Sequence, residues 1–547
     1  MKLSLSDILR VLQGREKNRF YGLTFAGVLI NLADIISLAL LLVLIRFYTE
    51  PGSVHSHWIP EILSDPTQPL FALAFLLFFA CKNAAAYFVQ QAQTELAYHV
   101  ALRLSHDLLL RFYASPFPER IATDSSVSGR RISQQPIEFG HHVLGGLQQL
   151  ITQSVLVLFA VTAILLYNAP VFLLLLAILL PPVLIAGWRL KKKTRALRES
   201  GRHFSESAAK HLREAMAGYT EVQLYDTREF FMLRYLQPQA EQNRQLAALQ
   251  NVQAMPSRLI EVFAILGLVL LIFLRLQHTS GLDLMITGAF LGAAYRIIPG
   301  VVKILNSLAQ MRAYAFTIPE LLPQPLSHTA LAASEKIRSI QCRNIEIPGM
   351  PRQQTVSCEL HSGKLSGISG ASGSGKTTLL NILLGFRASD KGEILVNEEI
   401  KNSANLRELW HQTAYVPQQA VLLHDTILQN ITLGRKVTDP ARLETIIRVT
   451  GIGPWTDTLP EKLGTIVAEK GGNISGGQAQ RIIIARALLE DKQICLLDEP
   501  FNELDAASAD QLMKYFHQLA QQGRIVVLVT HDQHCLNACD EIITLHG

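Results

Sequence analysis

The chain has 547 residues, 49% of them apolar and only 17% charged, and its mean hydropathy is positive. Such a balance excludes a single small domain and a wholly water-soluble protein. The formal charge of +5 is modest. Lysine and arginine clusters beside apolar runs account for it, so it points to no nucleic-acid partner.

The apolar surplus lies in the first part of the chain. Six runs are long enough to cross a bilayer. They are expected near Tyr21–Ile45, Pro69–Gln90, Leu144–Leu166, Val171–Trp188, Leu259–Leu276 and Leu284–Leu305. Orientation follows from the basic residues. Lys2, Arg10, Arg15, Lys17 and Arg19 precede the first run, and no Lys or Arg occurs between Phe47 and Cys81. Arg103, Arg111, Arg120, Arg130 and Arg131 follow the second run; Arg189, Lys191, Lys192, Lys193, Arg195 and Arg198 follow the fourth. Both termini and both long connections are therefore expected in the cytoplasm. Those connections, Gln91 to Phe139 and Lys191 to Gln253, have helical patterning, with Pro116 and Pro118 breaking the first. Arg296 falls inside the sixth run. Charge at that depth is expected to face a cavity or a partner, with Asp34 and Glu261 as candidate counter-ions.

The periodicity fades near Met311, and Pro319, Pro323 and Pro325 follow. The expected division is a membrane domain over 1–312, a linker over 313–335 and an α/β domain over 336–547. In the last, the apolar run Leu365–Ile368 leads into Gly370-Ala371-Ser372-Gly373-Ser374-Gly375-Lys376-Thr377-Thr378. This is a G-x-x-x-x-G-K-T phosphate loop between a strand and a helix. Its backbone N–H groups and the helix N-terminus can cradle phosphates. Lys376 would reach the β/γ-phosphates, and Thr377 would ligate Mg²⁺. Further on, Ile494 to Leu497 reads as a strand ending in Asp498 and Glu499. Asp498 would hold Mg²⁺, and Glu499 would polarise a water.

Between these lie Tyr415-Val416-Pro417-Gln418-Gln419 and Ile474-Ser475-Gly476-Gly477-Gln478; after them come Asn502-Glu503-Leu504-Asp505 and Thr530-His531. This ordered set resembles the ATP-binding cassette (ABC) ATPases, and six spans followed by one cassette resemble an ABC exporter half-transporter. The resemblance implies an all-α six-helix transmembrane domain followed by an α/β P-loop domain that binds ATP and Mg²⁺. It implies catalytic roles for Glu499, His531 and Gln418, with Gln418 also contacting the metal. It implies that Ser475, Gly476, Gly477, Gln478 and Asp505 help bind nucleotide, the signature residues acting on the cassette of a second chain. A homodimer is thus expected, with a heterodimer as the alternative. It further implies that short helices near Phe112–Phe117 and Gly218–Tyr225 serve docking.

One departure stands out. The adenine-stacking aromatic of this family has no counterpart, since no Tyr, Phe or Trp occurs from Arg338 to Gly385. Ile347 or Arg352 is expected to take over. The membrane part weakly resembles lipid-linked oligosaccharide flippases. The reading is an ATP-driven exporter or flippase of an amphipathic cargo in a bacterial inner membrane, with the cassette in the cytoplasm. Export of a small peptide or siderophore-like compound, or a regulatory role without transport, are the alternatives.

Overall fold

The computed structural model describes residues 4–49, 69–115, 125–167, 169–276, 284–323, 336–348, 355–389, 391–419, 421–468 and 471–545. The chain divides into two compact units, with the break between Leu326 and Ser327.

The first unit is helical. A short helix α1 (Leu5–Val11) precedes α2 (Gly14–Thr49) and α3 (Leu70–Ala114). A π-helical turn, Phe139–Leu144, feeds α4 (Gly145–Tyr167). Then come α5 (Ala169–Ala217), the short α6 (Tyr219–Leu224), α7 (Arg228–Leu276) and α8 (Leu284–Ala313). Each expected apolar run lies in one of these six long helices to within one residue, Pro69 just preceding α3 and Leu144 closing the π turn before α4. Among the described residues, Gly14–Ile45, Leu70–Ala114 and Gln135–Thr162 are long and apolar enough to cross a membrane. Their outer faces expose Phe25, Leu29, Leu73, Leu76 and Leu158, as lipid-facing helices do. The expected connections are largely continuous helix: α3, α5 and α7 run on well past their apolar segments. Pro116 and Pro118 lie outside the described residues. So does the Arg296 side chain; of its candidate counter-ions, Asp34 pairs with Lys82 and Glu261 lies 3.5 Å from Arg258.

The well-packed core of this unit sits where α1, α2 and α3 meet the π turn. Ile8, Phe20, Leu96, Phe139, Met311, Ile318 and Leu321 are all buried there. Arg103 closes it with a double hydrogen bond to Glu16 (2.8 and 2.9 Å) and a third to the Val11 carbonyl (2.8 Å). One expectation changes here. Prolines replacing the apolar periodicity predict a linker from residue 313. Instead a 3₁₀ turn (Ala315–Thr317) and helix α9 (Ile318–Leu321) continue the fold, with Pro319 in the first turn of α9. Proline is tolerated at that position. Arg111 pins the segment through the carbonyl oxygens of Glu320 (3.0 Å) and Leu322 (2.8 Å).

The second unit holds two sheets. The antiparallel one has the order β2-β1-β4-β5, from β1 (Ser339–Glu346), β2 (Thr355–His361), β4 (Glu393–Val396) and β5 (Glu399–Lys401). The parallel one has the order β6-β7-β8-β3-β9. Its strands are β3 (Leu365–Gly370), β6 (Thr413–Val416), β7 (Ile494–Asp498), β8 (Ile525–Val529) and β9 (Glu541–Leu545). Every residue of β7 and β8 is buried, as continuous apolar runs in a covered parallel sheet should be. Alternation sorts them onto two faces. Cys495, Leu497, Val526 and Leu528 join one core; Ile494, Leu496, Ile525, Val527 and Val529 join the other. Helices α11 (Gly476–Leu488) and α12 (Ala506–Gln521) pack on the first face and α10 (Lys376–Leu383) on the second.

Candidate functional site

In the parallel sheet β6, β7, β8 and β3 are adjacent in that order. Whatever follows each strand therefore gathers along one carboxyl edge, where open α/β sheets take ligands. Gln418 follows β6, Glu499 follows β7, His531 follows β8 and the phosphate loop follows β3. This topology brings together residues more than a hundred positions apart.

The phosphate loop turns sharply before α10. Gly375 is in the left-handed region (φ 87°), where a side chain would be strained. Lys376 is buried and folds back, donating to the carbonyl oxygens of Gly370 (2.8 Å) and Ala371 (3.0 Å). The Ser374 hydroxyl is buried without a partner. Ser372 and Gly373 are exposed at the rim, while Thr377 and Thr378 lie half-buried on the first turn of the helix.

Asp498 is 1% exposed, and neither carboxylate oxygen makes a hydrogen bond of normal geometry. Burial pushes its carboxyl above the ordinary range; the neighbouring Thr377 and Lys376 pull the other way. A buried carboxylate without donors is costly unless something pairs with it. Together with the unpaired Ser374 hydroxyl and the adjacent Thr377, it makes a donor set of hard oxygens, which suits Mg²⁺ shared with phosphates.

Glu499 has a left-handed backbone (φ 48°), rare for this residue type and concentrated at functional sites. Its Oε2 accepts from Gln418 Nε2 (3.1 Å) and Asn502 Nδ2 (2.5 Å), and His531 Nδ1 stands 3.7 Å from Oε1. Burial alone would raise this carboxyl, but the Asn502 and Gln418 amides, with His531 and Lys376, hold it below the usual value. It stays charged at neutral pH and can accept a proton from water.

The hold of Asn502 on Glu499 is not legible from the motif that contains it. The available signal is the position of Asn502 three residues after Glu499, across a tight turn. Glu503 is not legible there either. It packs against the signature: a Cβ on Gly477 would stand 2.5 Å from the Glu503 carbonyl oxygen, and one on Gly476 would stand 2.7 Å from its carboxylate. Gly477 is required by that approach to the backbone, whereas the Glu503 side chain could swing away from a Cβ on Gly476.

The signature residues stand apart from this group. Ser475 caps α11, accepting from the Gln478 N–H (3.2 Å), while the Gln478 side chain accepts from the Ser475 N–H (2.9 Å). Among the described residues, no hydrogen bond or ion pair links Ser475, Gly476, Gly477 or Gln478 to the phosphate loop. Asp505 is engaged within its own chain. Its Oδ2 accepts from the Ser508 N–H (3.1 Å), and its Oδ1 takes the Ser508 hydroxyl (2.7 Å) and Arg481 Nη2 (2.9 Å). Both oxygens are spent on capping α12 and tying it to α11, so its contribution within the chain is to position those elements.

The expected adenine platform also needs correction. Ile347 is buried in the core between the two sheets, so it is not a free face for a base. It follows β1 directly and continues the strand's inward alternation. Arg352 lies outside the described residues.

Residues 353–502 match the ABC transporter family model. A Rickettsia bellii protein named as an export ATP-binding/permease protein is 36% identical over 228 residues, which take in 40% of this chain and 39% of that protein's length. A protein of Xanthomonas oryzae pv. oryzae named ATP-dependent lipid A-core flippase is 26% identical over 499 residues, 86% of this chain and 82% of its own. A solved structure of a bacterial Atm1-family ABC exporter with ATP bound superposes with a TM-score of 0.77 at 19% identity, covering 97% of this chain and 93% of that one. The chain thus joins a helical domain to a domain matching the ABC transporter model in one polypeptide, the same fold as the exporter structure.

Proposed function

We propose that the chain is an ATP-driven exporter or flippase whose working unit is a homodimer. The carrying observation is the pairing at the end of β7: an orphaned buried Asp498 next to a charged, amide-held Glu499, facing a phosphate loop. The loop N–H groups and Lys376 bind the ATP phosphates. On binding, the Lys376 ammonium exchanges its loop carbonyls for phosphate oxygens. Thr377, Asp498 and Gln418 would hold Mg²⁺, which neutralises phosphate charge when bound. Glu499 orients and deprotonates the attacking water, and His531, at the end of the neighbouring strand, is placed to contact the γ-phosphate. The signature residues sit on a helix N-terminus outside this group, which supports their use on a second cassette.

Cleavage of ATP then drives alternating access in the helical domain. Basic residues flanking the apolar runs favour a cytoplasmic cassette in a bacterial inner membrane. An amphipathic cargo entering from the inner leaflet is supported by similarity to the lipid A-core flippase over most of both chains. The test is reconstitution in lipid vesicles. ATP turnover should be coupled to movement of a labelled amphiphile, and Lys376→Ala should abolish both by removing phosphate binding. Vigorous turnover with no cargo moved, across lipids and peptides, would sink the transport reading in favour of a regulator.

A further inference from the structure

The antiparallel sheet of the second unit sets two cysteines opposite each other. Cys342 in β1 and Cys358 in β2 are direct partners in the ladder. Opposite residues share a face of the sheet, so both side chains leave it on the same side. That side is the inner one. Cys342 is buried in the core with Ile340 and Ile345, and the half-buried Cys358 packs against it. Both are free thiols, and they hydrogen-bond to each other. Cys535 and Cys539 are also near neighbours, but the Cys539 thiol is turned to the Cys535 carbonyl oxygen (3.3 Å).

The ladder brings the pair within bonding reach. The Ser362 N–H donates to the Arg338 carbonyl oxygen (2.8 Å), just before the rung of Ser339 and His361. Hydrogen-bonded rungs alternate, so Cys342 and Cys358 also stand on one, with Cα atoms about 5.5 Å apart. Disulfides accept Cα separations of roughly 4.4–6.8 Å. Side chains on such a rung lie further apart than on the alternate kind, so the strands must shift slightly for the sulfurs to bond. Two features permit that shift. β2 is the edge strand of its sheet, and the register slips directly after Cys342, where the ladder resumes at Ile345. A bridge made against such a shift is readily reduced by other thiols, so it is reversible.

The two thiols are unequal. The hydrogen bond to Cys358, and then burial, push the Cys342 thiol above its usual range; the same hydrogen bond draws Cys358 down. Cys358 is also the less buried of the two. It is therefore the sulfur that ionises and meets an oxidant first.

We propose that Cys342 and Cys358 form a reversible oxidation site, a dithiol that hydrogen peroxide converts to a cross-strand disulfide. The Cys358 thiolate attacks one peroxide oxygen, the O–O bond breaks, and hydroxide leaves to take up the proton that Cys358 released. Cys358 is then a sulfenic acid. The Cys342 sulfur attacks Cys358 Sγ, the S–O bond breaks, and the departing hydroxide carries off the Cys342 proton as water. Two thiols and one peroxide become one disulfide and two waters. The site depends on neither ATP turnover nor transport.

Trypsin separates the two residues, Cys342 into Ser339–Arg343 and Cys358 into Gln353–Lys364. The full chain in phosphatidylcholine nanodiscs is treated with hydrogen peroxide, remaining thiols are blocked with iodoacetamide, and the digest is read by mass spectrometry. The two peptides should appear joined, lighter than their sum by two hydrogens, and dithiothreitol should free them. Cys342→Ser should leave Cys358 as a sulfenic acid that dimedone traps, whereas Cys358→Ser should leave Cys342 reduced. In the wild type Cys358 should be oxidised at least about tenfold faster than Cys535, whose thiol is pushed up to about 12 by burial. A wild type whose two peptides stay separate, or join only after urea unfolds the chain, overturns the proposal. So does equal oxidation of Cys358 and Cys535, or a Cys358→Ser chain in which Cys342 is oxidised as fast as in the wild type.

Discussion

Asp498 in the α/β unit and Glu16 in the helical unit are both carboxylates in tightly packed surroundings, yet they are handled in opposite ways. Glu16 is gripped by Arg103 through two hydrogen bonds, whereas neither oxygen of Asp498 has a donor in normal hydrogen-bond geometry. The first is a structural clamp, complete within the chain. The second is an unsatisfied group at a sheet edge, a state that persists where a ligand supplies the missing partner. The helical unit also holds an unpaired buried group, Gln148, but there the orphaned atom belongs to a neutral amide.

The contrast can be broken most sharply at Glu499. Glu499→Gln keeps the shape and the neighbouring amides but removes the proton acceptor. ATP turnover should fall by at least about a hundredfold while ATP binding, followed by a fluorescent nucleotide, persists. Near-normal turnover would reduce this carboxylate to another clamp of the Glu16 kind.

The converse test is Arg103→Met. It leaves Glu16 buried and uncompensated, which costs on the order of 3 kcal/mol. The thermal midpoint of the detergent-purified protein should drop by several degrees. In the double variant Arg103→Met/Glu16→Gln, part of the loss should return. No change in the single variant would mean that the clamp contributes nothing to the fold.

A smaller effect is expected from Asn502→Ala, which removes one of two amide donors from Glu499. Turnover should fall by roughly threefold to tenfold with ATP affinity unchanged, because Gln418 still holds the same oxygen. Asn502→Gln should recover little, since its longer side chain cannot repeat a contact made across so tight a turn. A change confined to ATP affinity would place Asn502 with the phosphate loop instead.

How much could be read in advance differed between the two units for a physical reason. Gly370 to Thr378, Gln418, Asp498, Glu499 and His531 were legible because each follows a short apolar strand. Parallel strands in a covered sheet carry their own signal, and their carboxyl ends must line up. Asn502 and Glu503 were not legible: their roles depend on the path of one turn after Glu499. The inward direction of Ile347 was not legible either, because a lone apolar residue just past β1 fits a free face as well as the core until the strand's alternation is fixed by pairing. In the helical unit, apolar length located the helices, but it could not say that residues 314–322 pack back against α3 through Arg111.

Composition and motif order alone determined an apolar helical half, an α/β half with a phosphate loop, and the acid pair after β7. These are properties of contiguous segments, set by side-chain periodicity and local backbone chemistry. Tertiary structure decided which polar groups find partners. Lys82 reaches Asp34 across 48 positions, Arg111 reaches Glu320 across 209, and Gln148 meets no acceptor at all. Pairing of this kind depends on helix rotation and depth, which long-range packing sets and no local stretch of sequence encodes.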